Sequence, residues 1–128
     1  MKPSTFPVMT MDQIEEVALK LNCEIVVAKP NELQFDLDTP EAFNTFQHFF
    51  YTKLEPRFGD GKLTLTGWKS KSGHDHTVVG LPSDFSVEAR LAMQAAGGSD
   101  FGREFAALCC HFDGSPHPIL LFRPKEKK

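Results

Sequence analysis

An alternating run of apolar and polar residues, from Leu33 to Asp38, constrains this chain more than any other feature. Successive side chains of a β-strand point to opposite faces, so an apolar residue at every second position predicts a strand with one buried face. The residues predicted to face the core are Leu33, Phe35 and Leu37. The opposite set, Gln34, Asp36 and Asp38, places two carboxylates side by side near the end of the strand.

This carboxylate pair leaves three interpretations open. Neighbouring carboxylates repel each other and raise each other's proton affinity unless a cation lies between them. Asp36 and Asp38 therefore indicate a bound divalent metal, a basic ligand, or simple exposure at a strand end.

Other strands are predicted on both sides of this run. A β-rich segment, a turn and the alternating strand predict a β-hairpin over residues 23–38. Alternation over residues 62–68, a polar loop and a strand over 75–81 predict a second hairpin. Pro118 limits a last strand, over residues 119–122, to a sheet edge or to a short length.

Helix signals separate these strands. Thr10 and Gln13 form a capping box before a helix over residues 11–22. Asp38 or Thr39 can cap a second helix, and Pro40 suits its first turn. That second helix carries an apolar stripe, which consists of Phe43, Phe46, Phe50 and Leu54. Ser86 caps a helix over residues 87–96.

A last helix is predicted over residues 101–112, capped by Ser99 or Asp100. Its apolar side consists of Phe101, Phe105 and Leu108. Arg103 and Glu104 are expected on the solvent side of its first turn.

The element order predicts a single α+β domain of 128 residues with a charged tail over 124–128. We expect an antiparallel sheet with helices packed mainly on one face, in an RRM-like or ferredoxin-like arrangement. The other face of such a sheet is free to carry function.

Composition narrows the partners and the compartment. The net charge of −3 gives no global preference for nucleic acid, so such a partner requires a local basic patch. The three cysteines lack CxxC spacing, which favours free thiols in a reducing, cytoplasmic environment. The first ten residues contain no signal-peptide pattern, and no apolar run approaches the ~20 residues of a membrane span.

The polar loop before His76 is a second candidate site. Lys69, Lys71, Ser72 and Gly73 supply the charge, hydroxyl and close backbone approach of a phosphate cradle. His74 and His76 are spaced to share a strand face, where they bind a metal or a phosphate. The alternative is a solvated, flexible loop.

Asp100 is a third candidate, either as a plain helix cap or as a further metal carboxylate. In combination the three candidates are complementary, since carboxylates hold a divalent metal and the metal, lysines and histidines hold phosphates.

These motifs together resemble the catalytic core of archaeo-eukaryotic-type primases and primase-polymerases. The family's hydrophobic-Asp-hydrophobic-Asp motif at a strand end matches residues 35–38, and its Ser-x-His type motif matches residues 71–79. His76 is the better match to the motif histidine, and His74 is the alternative. Asp100 fills the later acidic motif, although no clear hydrophobic residue precedes it.

The resemblance implies a primase-like core, reduced in length, that performs metal-dependent nucleotidyl transfer on a nucleotide or nucleic acid. It implies that Asp36, Asp38 and Asp100 bind Mg²⁺ or Mn²⁺, and that His76, which is catalytic together with Asp36 and Asp38, holds the triphosphate with Ser72. The triphosphate-binding residues are then Lys69, Lys71, Ser72, Gly73 and His74. Two alternatives are a metal-dependent phosphodiesterase or nuclease with the same residues, and a non-catalytic nucleic-acid or protein interaction module in which Trp68 stacks on a base.

Overall fold

A computed structural model describes residues 10–59 and 61–125 of this chain. The helices are α1 (Met11–Lys20), α2 (Pro40–Phe49), α3 (Glu55–Phe58), α4 (Val87–Ala96) and α5 (Phe101–Phe112), with a π-helical segment (Phe50–Leu54) between α2 and α3. The strands are β1 (Cys23–Val27), β2 (Glu32–Leu37), β3 (Thr64–Lys69), β4 (Asp75–Gly80) and β5 (Leu120–Pro124).

The strands form two antiparallel sheets, one with the order β2-β4-β3 and one that pairs β1 with β5. The α+β class is therefore confirmed, and so is the β3–β4 hairpin. The hairpin predicted over residues 23–38 is wrong, because β1 and β2 belong to different sheets. A turn does form between β1 and β2, in which Glu32 N–H donates to Lys29 O. Leu81 N–H donates to Asn31 O, and this hydrogen bond holds the turn against the segment that follows β4.

The helix boundaries follow the caps that the sequence predicts. Thr10 and Gln13 make the reciprocal capping box of α1, and the Thr39 hydroxyl accepts from Ala42 N–H at the start of α2. Ser86 caps α4 and Asp100 caps α5 in the same manner. These contacts satisfy backbone N–H groups that have no partner inside the helix.

The main core lies between α2, the π-helical segment and one face of the β2-β4-β3 sheet. The apolar set of β2 is fully buried there, as predicted: Leu33 and Phe35 are 0% exposed. The ring centroids of Phe35 and Phe46 are 4.8 Å apart in an edge-to-face contact. Burial of such aromatic side chains is the largest favourable contribution to folding that this sheet can gain.

The opposite face of the sheet is covered in part by β5, rather than open as the sequence suggested. Trp68 Nε1 donates to Phe122 O at 3.0 Å, and His76 Nδ1 lies 3.2 Å from the same carbonyl oxygen. Trp68 thus packs against β5, with its ring 5.8 Å from that of His76. β5, which provides this cover, contacts His76 from more than 40 residues away in the sequence. Local sequence patterns do not indicate a contact over that distance.

The orientation predicted for α5 is wrong. Glu104 is 5% exposed, whereas Phe101 is 75% and Phe105 is 49% exposed. Glu104 accepts hydrogen bonds from Gln94 and Ser99 and is paired with Arg103, so its buried charge is satisfied. This polar cluster occupies the space that an apolar stripe would otherwise fill.

At the C-terminus, Pro124 ends β5 and Lys125 N–H donates to Asn22 O, so the predicted charged tail begins later than residue 124. Residues 126–128 lie outside the described residues, as does nearly all of the N-terminal segment considered for a signal peptide. Among the helices of the described chain, none is long and apolar enough to cross a membrane.

Candidate functional site

The register of β2 and β4 sets Asp36 directly opposite His76, and Trp68 of β3 is opposite His76 on its other side. Residues directly opposite in antiparallel strands share a sheet face. His76 Nε2 lies 3.3 Å from Asp36 Oδ1. The acidic strand and the histidine-bearing hairpin, separate in the sequence, therefore meet at one point.

A second contact extends this point beyond the strand ends. Asp38 follows β2, and its Oδ1 lies 3.0 Å from His74 Nδ1. Asp36, Asp38 and His74 each offer one ligand atom, and these atoms all lie within 4.8 Å of one another. Two carboxylates and an imidazole form a donor set suited to a divalent cation, although exposed acidic groups also occur without a metal.

The pKa of Asp38 is raised to about 6. Burial contributes most, followed by the hydrogen bond and charge of Asp36 and then by the charge of Asp100, while His74 acts in the opposite direction. The side chain of Asp38 is 36% exposed, so it remains accessible to a ligand.

Asp36 lies deeper, with its side chain 21% exposed. Burial by itself raises its pKa, but the interactions with His76, Asp38 and Arg103 outweigh burial and hold the pKa below its usual range. Its Oδ1 is buried and lacks a well-aligned hydrogen bond, since His76 Nε2 is within ion-pair distance without hydrogen-bond geometry. A buried carboxylate oxygen without a hydrogen-bond partner is unusual in a folded protein.

The backbone of β5 holds the His76 ring in place. Because the Phe122 carbonyl oxygen can only accept, Nδ1 must carry the proton that it donates. This arrangement directs Nε2 toward Asp36. A histidine held through Nδ1 by a backbone carbonyl is the arrangement that fixes ring orientation at metal and phosphate sites.

The loop between β3 and β4 is internally hydrogen-bonded rather than a freely solvated loop. Ser70 N–H donates to His74 O at 2.8 Å, and His74 N–H donates to the Ser70 hydroxyl at 3.0 Å. The Ser70 and Ser72 hydroxyls are 3.1 Å apart. Gly73 has a positive φ of 86°, which a residue with a side chain would adopt only with strain.

The two lysines of the loop differ in their surroundings. Lys69 Nζ lies 2.7 Å from Asp75 Oδ1, so its charge already has a partner. Lys71 is exposed and makes no ion pair with any described residue, which leaves its ammonium group available to an anionic ligand.

Two adjacent depressions surround the site. The first, here called the Asp36 cavity, is about 480 Å³ and includes Asp36, His76, His74, Lys71 and Ser72 in its walls. The second, the Asp38 cleft, is about 330 Å³ and includes Asp38, Lys69, Gly73 and His74. His74 lines both depressions, and each of the other predicted site residues of the β3–β4 loop borders one of them.

Asp100 has a structural role in capping α5, and it lies outside the group of three. Its Oδ2 accepts from Arg103 N–H at 2.9 Å, and its own N–H donates to Asp36 O at 2.9 Å. It remains near enough for its charge to raise the pKa of Asp38. Asp100 thereby positions the β2 strand and adds negative potential to the site.

Sequence reasoning missed the residues that hold the free edge of β2. Gln34 N–H donates to Gln94 Oε1, and Asp36 N–H donates to the Ser99 hydroxyl, both at 2.9 Å. Arg103 donates to Gln34 O and lines the Asp36 cavity. These side chains fix the strand that carries Asp36, and no local pattern in the sequence indicates them.

No protein family profile, curated protein or solved structure matches this chain.

Proposed function

We propose that this chain binds a divalent cation through Asp36, Asp38 and His74 and uses it in metal-dependent nucleotidyl transfer, as a minimal primase-like domain. The observation that carries the proposal is the convergence of three ligand atoms within 4.8 Å, beside a loop that presents hydroxyl and ammonium groups. Carboxylates and imidazole are the ligands that Mg²⁺ and Mn²⁺ accept while they also bind substrate phosphates.

Each side chain has a distinct task in this proposal. The carboxylates of Asp36 and Asp38 concentrate negative charge where a cation is needed, and one of their oxygens is buried without a hydrogen bond. Lys71 and Ser72 line the same cavity and would bind phosphate oxygens by charge and by hydrogen bonding. A bound Mg²⁺ or Mn²⁺ would stabilise the charge that develops on the transferred phosphoryl group.

The charge distribution favours a small ligand over a long nucleic acid. The net charge is −3, and Lys69 is already paired with Asp75. Binding along a polynucleotide backbone requires several unpaired cations in a row. The substrate class that fits is therefore a nucleotide, with any nucleic-acid strand contacting the chain over a short length.

Metal binding is the first test. Isothermal titration with Mn²⁺ should show one site in the wild-type chain and none in the double variant Asp36→Asn with Asp38→Asn. A matched control, Glu15→Gln with Glu16→Gln, removes the same charge from exposed positions of α1 and should leave the titration unchanged. An equal Mn²⁺ affinity in the acidic-pair variant and the wild type would contradict the proposal.

Activity is the second test. A labelled primer-template is incubated with Mn²⁺ and nucleoside triphosphates, and its length is followed on a gel. Extension that disappears in the Asp36→Asn variant supports nucleotidyl transfer. Shortening without added nucleotides would instead identify a phosphodiesterase, and retained oligonucleotide binding without metal binding would identify a non-catalytic module.

A further inference from the structure

A third depression lies on the other side of the β2-β4-β3 sheet, between α2 and β3. This aromatic groove is about 320 Å³, and it is bordered by Phe43, Gln47, Tyr51, Leu65, Gly67 and Thr77. Phe43, Gln47 and Tyr51 are spaced by four residues and follow one side of α2 into the π-helical segment. Leu65 and Gly67 belong to β3, which is an edge strand.

The aromatic groove shares a wall residue with the Asp38 cleft, which in turn shares one with the Asp36 cavity. Phe43 borders both the aromatic groove and the Asp38 cleft, and His74 borders both that cleft and the Asp36 cavity. Along β3, Leu65, Gly67 and Lys69 share one face because they alternate. Leu65 and Gly67 border the groove, and Lys69 borders the cleft. Gly67 and Lys69 are two residues apart, which is about 7 Å along a strand.

The chemistry of the groove matches a flat aromatic ligand. Tyr51 is 60% and Leu65 is 52% exposed, which is a large apolar area for a surface site. The Tyr51 ring is supported by Phe50, with centroids 5.2 Å apart. The Gln47 amide makes no hydrogen bond to other described residues, so its donor and acceptor are free.

Gly67 also borders the groove. A Cβ at this position would lie 2.7 Å from the backbone oxygen of His76, so a residue with a side chain fits here only if β3 or β4 shifts. Gly67 therefore adds no side chain to the wall of the groove.

We propose that the aromatic groove holds the base of a mononucleotide whose phosphates lie at Asp38 and His74. This assignment rests on the proposed function, because it takes the phosphate position from the candidate metal site. A base offers two flat faces for stacking and an edge for hydrogen bonding, and Tyr51, Leu65 and Gln47 provide the matching groups. A nucleoside triphosphate is the class of ligand that contains both parts.

The test compares a ligand with a base and one without. In the presence of Mn²⁺, isothermal titration measures the affinity of the full chain for ATP and for inorganic tripolyphosphate. Aromatic stacking contributes ~1–3 kcal/mol per base, so the wild type should bind ATP about 5- to 150-fold more tightly than tripolyphosphate. The double variant Tyr51→Ala with Leu65→Ala should lose this preference and keep its tripolyphosphate affinity.

A matched control, Leu19→Ala with Phe101→Ala, truncates similar side chains that are 73% and 75% exposed elsewhere, and it should bind like the wild type. Retained tripolyphosphate binding also shows that the groove variant is folded. Equal affinity of the wild type for both ligands, or unchanged ATP binding in the groove variant, would overturn the base assignment and leave the metal site standing. Failure of the wild type to bind either ligand with Mn²⁺ would overturn the proposed function and this assignment with it.

Discussion

Asp36 and Asp38 lie two positions apart, yet their surroundings move their pKa values in opposite directions. The pKa of Asp36 is held low because His76, Asp38 and Arg103 outweigh its burial. The pKa of Asp38 is raised to about 6 by burial and by the negative charge of Asp36. Neighbouring carboxylates with separated pKa values are typical of functional sites, although ion-pair networks also produce them.

The dependence of Asp38 on Asp36 gives a first prediction. Asp36→Asn removes a negative charge that opposes ionisation of Asp38, so the pKa of Asp38 should fall from about 6 toward the usual value of about 3.9. A ¹³C NMR titration of the carboxyl carbons measures this directly. Asp100→Asn should give a smaller fall, since Asp100 is the weaker influence. An unchanged midpoint in Asp36→Asn would show that the two carboxylates do not interact.

The same pKa has a consequence for stability. The folded state binds the Asp38 proton more tightly than the unfolded state, so this group's contribution to stability is lost as the pH rises from about 4 to about 6.

The affinity for a metal ion should increase as the pH rises, whereas the contribution of Asp38 to stability decreases. A cation binds the carboxylate form of Asp38, so protons compete with it at this residue. We expect Mn²⁺ affinity to be nearly constant from pH 8 to 7 and to fall below pH 6, approaching about tenfold per pH unit at lower pH. Isothermal titration at several pH values measures it, and an affinity that is flat down to pH 5 would exclude Asp38 as a ligand.

The two carboxylates and both histidines of the candidate site could be singled out from the sequence because the patterns that contain them are local. An alternating strand assigns Asp36 to a face, and a polar loop with glycine predicts a turn around Gly73. The hydrogen bond between His76 and Phe122 O could not be predicted, because it joins residues 46 positions apart. Whether a polar residue is buried depends on such distant partners.

At the level of elements, the helix caps and the β3–β4 hairpin were predictable, whereas the pairing partners of β1 and β2 were not, and the hairpin predicted over residues 23–38 is wrong. Thr10, Thr39, Ser86 and Asp100 each cap the helix that the sequence predicts. β1 pairs with β5, which is far away along the chain, and no local sequence pattern indicates such a distant partner. The π-helical segment after α2 was likewise missed, since the apolar stripe of Phe46 and Phe50 reads as continuous α-helix.

The β3–β4 hairpin depends on close contact at Gly67, which gives a prediction at the element scale. Gly67→Ala would place a Cβ 2.7 Å from His76 O, so the two strands must separate. We expect a loss of about 1–3 kcal/mol in the free energy of unfolding, measured by urea denaturation. Thr66→Ala, at an exposed position of the same strand, should cost less than about 1 kcal/mol. If both variants lost the same free energy of unfolding, β3 would be sensitive to substitution in general and the contact at Gly67 would have no special role.

On the scale of the whole molecule, a buried polar network joins the two sheets to the helices. Arg103 donates to Gln34 O and Gln34 Oε1 of β2, at 3.0 and 3.1 Å, and to Leu120 O of β5 at 3.0 Å. Glu104 is paired with Arg103 and receives a hydrogen bond from Gln94 of α4 at 2.7 Å. One guanidinium therefore connects β2, β5 and α5, which is a task that its planar set of donors suits.

This network predicts that Arg103 is more important for stability than an arginine on the surface. Arg103→Met leaves the Glu104 carboxylate buried without its cation, and such a change costs about 3–5 kcal/mol. Arg103→Lys should also destabilise, because an ammonium group cannot reach the acceptors on both sheets at once. Arg57→Met, at an exposed position of α3, should change stability by no more than about 0.5 kcal/mol.

A double-mutant cycle separates the network from a simple loss of packing. Glu104→Gln combined with Arg103→Met removes both charges, so the pair should cost clearly less than the sum of the two single changes. Urea denaturation followed by the fluorescence of Trp68, the only tryptophan, reports directly on the contact between β5 and the β2-β4-β3 sheet. Strict additivity of the two substitutions would show that Arg103 and Glu104 act independently of each other.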